Sequence, residues 1–541
     1  MRNVPACLFR VALAASLSLS ALLFFLWSWR WPLVGDASLM HYMGWLIERG
    51  WAPYRDFGDM NMPGSYLIEL AAMHMFGMGD LAWRLFDFAL MGAAAASFFV
   101  ITRCVGAPSF AAPLRRVGSG DGWLAGLFAA CLFILVHGRD GLAEGGQRDL
   151  TMAVCLIMAT AFLFVAIRRD WPWAAAAFGL FSGVALTIKP TALPLTVAQL
   201  LLAVYVLRGS GTQGESPNRR WLHHAVVAIL GYLVAPGIAL IFLLRERALA
   251  AFFANLHGLV LYYSGLGHRP LGFLLLHSIS PLLPLVLLWL AVLALHRPKL
   301  DWERVALGCG ALFGFVSYLV QARGFPYYRY TLLIFLLPLM AVDFTRAAQT
   351  QLSDLWRATA HIRRTKAARW LALAALSFGG FVLAPQSAVL VHRYRWWETD
   401  FITSLQQNLD ALGGSKLSGH IQCIDSISGC GNILYRMRLE PSTGVLSDFL
   451  LFGPDDVPII RQTRQQFSAA VLANPPQVIV VTSPMHIDGP GDYRKLDRWP
   501  AFKAFLADDY TLQTAWTPSR TARWWSREET PASYRVYVLR R

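Results

Sequence analysis

The sequence predicts an all-α polytopic membrane protein with a small α/β domain at its C-terminal end. Three observations carry that prediction. The 541-residue chain is 56% hydrophobic and only 15% charged, with a mean hydropathy of +0.44. Segments 11–29, 225–244, 271–295 and 370–391 contain no Asp, Glu, Lys or Arg, and each can cross a hydrocarbon layer of ~30 Å as a helix. From about residue 392 the chain becomes more polar. Backbone groups in lipid must find partners within their own segment, so helices are the expected spanning form.

Hydropathy places spans near 11–31, 82–102, 122–137, 150–167, 171–188, 191–207, 222–244, 271–295, 304–320, 331–345 and 370–391, about eleven in all. Residues 1–391 are therefore read as a transmembrane domain with a long first outer loop at 32–81. Residues 392–541 are read as an extracytoplasmic domain. Arg2 and Arg10 precede the first apolar run, as they would in a signal peptide. The run continues into Trp-rich sequence with no small-residue cleavage site, so an uncleaved helix is expected. In the tail, "RQTRQQFSAAVLANPP" reads as a helix stopped by prolines, and "QVIVVTS" and "YRVYVLRR" read as strands.

The formal net charge of +15 is explained by topology. Arg103, Arg168, Arg169, Arg208, Arg220, Arg297, Lys299 and Arg346 all fall in alternate loops, the positive-inside pattern. This places the N-terminus in the cytoplasm and the tail outside, and gives no reason to invoke nucleic acid. Cys423 and Cys430, in "CIDSISGC", lie in the outer tail, where an oxidising compartment would allow a disulfide. A metal pair is the competing reading, with no further Cys or His cluster near at ligand spacing.

The inner loops are simply basic, whereas the outer loops mix acids, cations and aromatics, which places the chemistry outside. Asp36 follows Gly35 at the lipid boundary, directly before an amphipathic pattern of Leu39, Met43, Leu46 and Ile47 that suggests an interfacial helix. A carboxylate there is either a general base for a hydroxyl at the membrane surface or a helix N-cap. In "PYRDFGDMNMPG", Asp56 has Arg55 beside it as an ion-pair partner. Asp59 is either a loop acid or an organiser of acceptor or cation together with Asn61. "GGQRDL" places Arg148 and Asp149 at the outer end of a span, as a helix-closing pair or as a second acid with its cation. Lys189, in "TIKP", either snorkels to the interface or serves a site. "QARGFPYYRY" supplies Arg323, Tyr328 and Arg329, which suit a phosphate headgroup or an aromatic belt equally.

The order of span, "GD", amphipathic helix, "GWAPYRDF", acid and proline resembles the GT-C membrane glycosyltransferases. The resemblance is to the group containing protein mannosyltransferases, lipid A aminoarabinose transferases and lipopolysaccharide-core glycosyltransferases. "GQRDL", "LTIKP" and "QARGFPYYRY" resemble matching segments of bacterial members, over roughly residues 10–345. The resemblance implies a GT-C-like helical domain and transfer of a sugar from a polyprenyl phosphate to an envelope lipid, glycan or protein, on the outer face of the inner membrane. It puts the family's base on Asp36, its second acid on Asp149, and donor-phosphate contacts on Arg323 and Tyr328. Where relatives carry an acid followed by Lys-Pro-Pro, this chain has "DMNMPG", so Asp59 keeps the acid without the lysine.

The mechanism expected is inverting transfer, with Asp36 as base. The leaving phosphate is stabilised by Arg323, Arg329 and Lys189, or by a divalent cation; the metal requirement is left open. A transporter or flippase of lipid-linked glycans is the alternative, and it calls for ionisable residues within spans or repeated halves with broken helices.

Overall fold

The computed structural model describes residues 4–105, 122–209, 217–349, 359–485, 489, 492–518 and 532–540. Helix α1 (Val4–Ser28) is followed by two short helices, α2 (Gly35–Glu48) and α3 (Pro63–Phe76). Longer helices follow: α4 (Asp80–Cys104), α5 (Gly122–Asp140), α6 (Arg148–Arg169), α7 (Pro172–Ile188), α8 (Leu193–Gly209) and α9 (Pro217–Arg245). Helices α10 (Leu249–Asn255) and α11 (Leu261–Ser264) are joined by one π turn. Helices α12 (Leu271–Ile279), α13 (Leu283–His296), α14 (Trp302–Gln321), α15 (Tyr330–Gln349) and α16 (Thr359–Ala411) complete the helical part. The tail contains β1 (Ile421–Ile424), α17 (Cys430–Met437), α18 (Pro458–Ala473), β2 (Val478–Thr482), α19 (Pro500–Asp509), β3 (Tyr510–Trp516) and β4 (Tyr534–Leu539).

Among the described residues, eight helices are long and apolar enough to cross a membrane, or nine if a bent pair counts as one span. The expectation of about eleven differs at three spans: two for physical reasons, and one because part of it lies outside the described residues. The expected span 271–295 is broken between α12 and α13 by a 78° bend at Pro281, which has no N–H for the helical ladder. Helix α7 has 17 residues and is short for a span on its own. The expected span 370–391 falls within α16, where the side chains of 380–399 lie outside the described residues.

The chain divides into two compact units, and the division does not follow a single cut near residue 391. The first comprises Met1–Trp29, Leu85–Ile238 and Arg269–Leu390; the second comprises Arg30–Arg84, Ala239–His268 and Val391–Arg541. Burial separates the central helices of the first unit from its outer ones. In the spanning windows, 89% of the α15 segment and 83% of α6 are buried, against 22% for the first span. The apolar residues left exposed on α1, such as Leu19, Leu22 and Leu26, are what a lipid-facing surface requires.

In the second unit, the four strands run in the order β1-β2-β4-β3, with β1 and β2 parallel and the remaining pairs antiparallel. The register sets Ile421 against Val478 and Val478 against Val538. Strand β2 reads VIVVT and is buried along its whole length, which is why its apolar residues run continuously instead of alternating. Phe452, Phe467, Trp499, Phe502 and Leu506 cover the sheet from α18, α19 and their loops. Cys423 of β1 and Cys430 at the start of α17 form a disulfide.

Candidate active site

In the first unit, three of the residues singled out from the sequence, Asp149, Lys189 and Tyr328, meet around the Lys189 ammonium group. Asp149 lies in the first turn of α6, and Lys189 is the extended residue (φ −155°, ψ 123°) between α7 and the turn leading to α8. Lys189 Nζ donates to Asp149 Oδ1 at 2.7 Å and to Gln321 Oε1 at 2.7 Å, and stands 4.3 Å from the centre of the Tyr328 ring. Gln321 Nε2 donates to the backbone and hydroxyl oxygens of Ser317, both at 3.2 Å, which turns its carbonyl toward Lys189. The ammonium therefore has a carboxylate, an amide oxygen and an aromatic face around it, an arrangement favourable to a cation.

Arg323 is buried and donates from Nη1 to Tyr328 Oη at 3.4 Å. Its loop reverses sharply: Ala322 and Gly324 have φ of 55° and 71°, and the Ala322 carbonyl accepts from the Arg269 amide. A Cβ on Gly324 would stand 2.6 Å from the Phe273 ring, so this turn requires glycine for both space and conformation. Arg329 is held differently. Its guanidinium donates to Asp140 and to the carbonyls of His277 and Ser280. Arg329 thus ties α5, α12 and the loop before α15 together. Arg148, beside Asp149, occupies the first residue of α6.

Asp36 and Asp59 belong to the second unit. Asp36 lies in the first turn of α2 but does not cap it, because the N-cap residue is Val34. A carboxylate there is still favoured by the helix dipole. Gly35 has φ of 58°, a left-handed conformation natural to glycine, so the chain turns sharply just before the acid. Helix α2 was expected to lie at a membrane interface. Instead Met40, His41, Tyr42, Met43, Trp45 and Leu46 are all buried. The reason is that the second unit supplies partners on several sides: His41 Nδ1 lies 2.8 Å from Glu69 Oε2 of α3, and Tyr42 Oη donates to Leu439 O at 2.9 Å. Burying each large apolar side chain is worth roughly 1.5–3 kcal/mol, so protein packing accounts for the helix position.

Asp59 is a buried hub. Its Oδ2 accepts from Tyr66 Oη and from Asn61 Nδ2, each at 2.5 Å, and its Oδ1 accepts from the Met60 amide at 2.8 Å. Asn255 donates to the Asp59 carbonyl. Burial, then the nearby Asp59 carboxylate, pushes the Tyr54 phenol well above its ordinary range. Asn61 also donates to Met40 Sδ at 3.2 Å, and Met40 lies one turn beyond Asp36 on α2, on the same face. Asp56 pairs with Arg55 at 2.8 Å and accepts from the Ala52 amide at 2.7 Å. The Arg55 hydrogen bond holds the Asp56 carboxyl below the usual carboxylate range. Among the described residues, no group of three or more His, Cys, Asp or Glu could hold a metal ion. The donors gathered on Asp59 make its carboxylate a protein hydrogen-bond centre.

Several site residues escaped the sequence reading. Gln321 stood inside a quoted motif without being singled out. Tyr66, Asn255 and the His41–Glu69 pair carried no local signal. In the first unit, buried His137 lies between Tyr330 Oη at 2.7 Å and Asp87 Oδ2 at 3.3 Å, and the Gly146 amide donates to Asp87 Oδ1 at 2.7 Å.

The membrane-length helices followed by a sheet-bearing tail make up a fold that has counterparts among solved structures. In particular, the chain is similar to the crystal structure of ArnT from Cupriavidus metallidurans in the apo state. The TM-score is 0.56 at 16% identity, covering 98% of both chains. ArnT from the same organism bound to undecaprenyl phosphate matches with a TM-score of 0.55 at 15% identity, covering 99% of this chain and 98% of that one. At this identity the likeness is one of fold. No protein-family model matches the sequence, and no curated protein does.

Proposed function

We propose that this chain is an integral-membrane glycosyltransferase that moves a sugar from a polyprenyl-phosphate donor to an envelope lipid, glycan or protein at the outer face of a bacterial inner membrane. The observation that carries the reading is the end-to-end fold likeness to a protein crystallised with undecaprenyl phosphate. In the proposed reaction Asp36 accepts the proton of the acceptor hydroxyl as that oxygen attacks the anomeric carbon. The bond to the donor phosphate breaks, the phosphate keeps the electron pair, and the anomeric configuration inverts.

The side chains divide the labour unequally. Arg323, with Tyr328 at its side, is the proposed contact for the leaving phosphate, since a guanidinium matches phosphate geometry. Lys189 holds the Asp149 carboxylate in place. Arg329 supports the loop through Asp140. Asp59 keeps α2 and its own loop in register through Asn61 and Met40.

A flippase reading has one observation in its favour: paired ionisable groups are buried on span helices, as in Asp87–His137 and Arg304–Asp343. Detergent separates the two readings, because a micelle leaves no bilayer to cross. Purified protein is incubated with undecaprenyl-phosphate-linked sugars and an envelope extract, and products are read by mass spectrometry. A covalent glycosyl product supports the transferase. Absence of product, with donor translocation in liposomes, would overturn it in favour of the flippase.

A further inference from the structure

Leu33 stands three residues before Asp36, and both of its peptide groups are held by side chains. Its amide donates to Asp80 Oδ1 at 2.9 Å. Its carbonyl accepts from Asn432 Nδ2. The two holding residues are themselves linked through Arg436: Nε donates to Asn432 Oδ1 at 2.9 Å, and Nη2 donates to both Asp80 oxygens at 3.0 Å. The contacts close a ring from the Leu33 amide to Asp80, Arg436, Asn432 and back to the Leu33 carbonyl. The ring also fixes the Asn432 amide, because only one orientation offers an oxygen to Arg436 and an N–H to Leu33.

The helix behind this ring is anchored independently. Asn432 and Arg436 lie one turn apart on α17. The start of α17 is gripped by Asp425, whose carboxylate accepts from the amides of Ser428, Gly429 and Cys430 at 2.9–3.1 Å and from Thr482 Oγ1 at 2.9 Å. The Cys423–Cys430 disulfide ties the same turn to β1. A second contact repeats the hold nearby: Tyr435 Oη accepts from the Gly79 amide at 3.1 Å. Asn432 is 2% exposed, so water does not readily replace its bond to Leu33.

We infer that Asn432 and Asp80 are positioning residues for the candidate base: they clamp the Leu33 peptide and so set where α2 begins and how Asp36 is presented. The inference rests on Asp36 being the base. The clamp needs both peptide groups of Leu33, since holding one alone leaves the other free to turn about the φ and ψ of that residue. Gly35, with its left-handed backbone, makes this junction the natural place for the chain to swing once the clamp is lost.

The test uses full-length protein in nanodiscs, with Asn432→Asp as the main variant. This change keeps the acceptor for Arg436 and removes the donor to Leu33. Asn432→Ala and Asp80→Asn accompany it. Hydrogen exchange of residues 33–40 is followed with that of Val478–Thr482, and envelope glycosylation is measured in cells carrying each variant. The expected result is at least tenfold faster exchange at 33–40 and a tenfold or greater loss of product, with the tail sheet as protected as in the parent. Unchanged exchange at 33–40 overturns the clamp, as does unchanged product. Asp36→Asn keeps the two readings apart. If it retains full product while the clamp variants lose theirs, the base assignment fails and α2 is positioned for another purpose. If it is inactive and Asn432→Asp is fully active, the clamp alone fails.

Discussion

Lys189 Nζ lies 2.7 Å from Asp149 Oδ1 across 40 residues of sequence. The pair is partly buried, with side-chain exposures of 25% and 7%. Lys189→Met leaves Asp149 without its cation in a nearly dry setting, a loss of about 3 kcal/mol for a buried pair. The exposed Arg55–Asp56 pair is screened by solvent, so its loss changes stability little. Thermal unfolding in detergent is expected to show a clear fall in midpoint for Lys189→Met and almost none for Arg55→Ala. Equal shifts would remove the structural role given to Lys189.

Asp36→Asn is expected to insert and fold as the parent does, because the side chain is half-buried in a first helical turn and does not cap the helix. Transfer from a polyprenyl-phosphate sugar is expected to fall by about 10²–10⁴, the usual contribution of a positioned base. Full activity in this variant sinks the base assignment.

Asp59→Asn exchanges one carboxylate oxygen for an amide NH₂ amid three donors, from Tyr66, Asn61 and Met60. Leaving buried donors unsatisfied costs about 1–3 kcal/mol each, so loss of protection around 52–66 is expected in hydrogen exchange. Because Asp59 is occupied by protein donors, EDTA is expected to leave the protection of this loop unchanged. A loss restored by Mg²⁺ would place a cation there.

Tyr510 donates to the Pro476 carbonyl at 2.8 Å, and burial pushes its phenol up to about 12. An unfolded tyrosine ionises near pH 10, so between these values the folded chain holds the proton and the unfolded chain releases it. The contribution is full below about pH 10 and is lost as pH rises toward 12. Tyr510→Phe is expected to be less stable at neutral pH and to lose stability less steeply from pH 10 to 12. Identical slopes for parent and variant contradict this. Asp56 has the opposite sign: its lowered carboxyl adds a small stability that disappears as pH falls through the acidic range.

The membrane class was legible because a charge-free run of about 20 residues has few other uses. The bend at Pro281 was written in "SISPLLP", yet a hydropathy average passes over it, since proline alters the ladder without altering apolarity. The buried state of α2 was not legible: the pattern shows which residues are apolar, and says nothing of a Glu69 that makes burial of His41 affordable. Asp149, Lys189 and Tyr328 were each named from local motifs. Their meeting around one ammonium comes from the packing of α6, α7, α14 and the loop before α15, which no local motif encodes. Gln321 was missed because a glutamine gains its role from the partner it faces.

The clamp on Leu33 also bears on how this protein is made. Asn432 lies 399 residues downstream of the carbonyl it binds, and Tyr42 waits 397 residues for the Leu439 carbonyl. At the usual pace of synthesis, about 5–20 residues per second, the segment around Asp36 leaves the ribosome tens of seconds before these partners exist. During that interval its nearer partners, such as Glu69 and Asp80, are present while Asn432 and Leu439 are not. The start of α2 is therefore among the first parts of the chain to be made and among the last to be set, so the candidate catalytic helix is completed only when the far end of the polypeptide has arrived and folded.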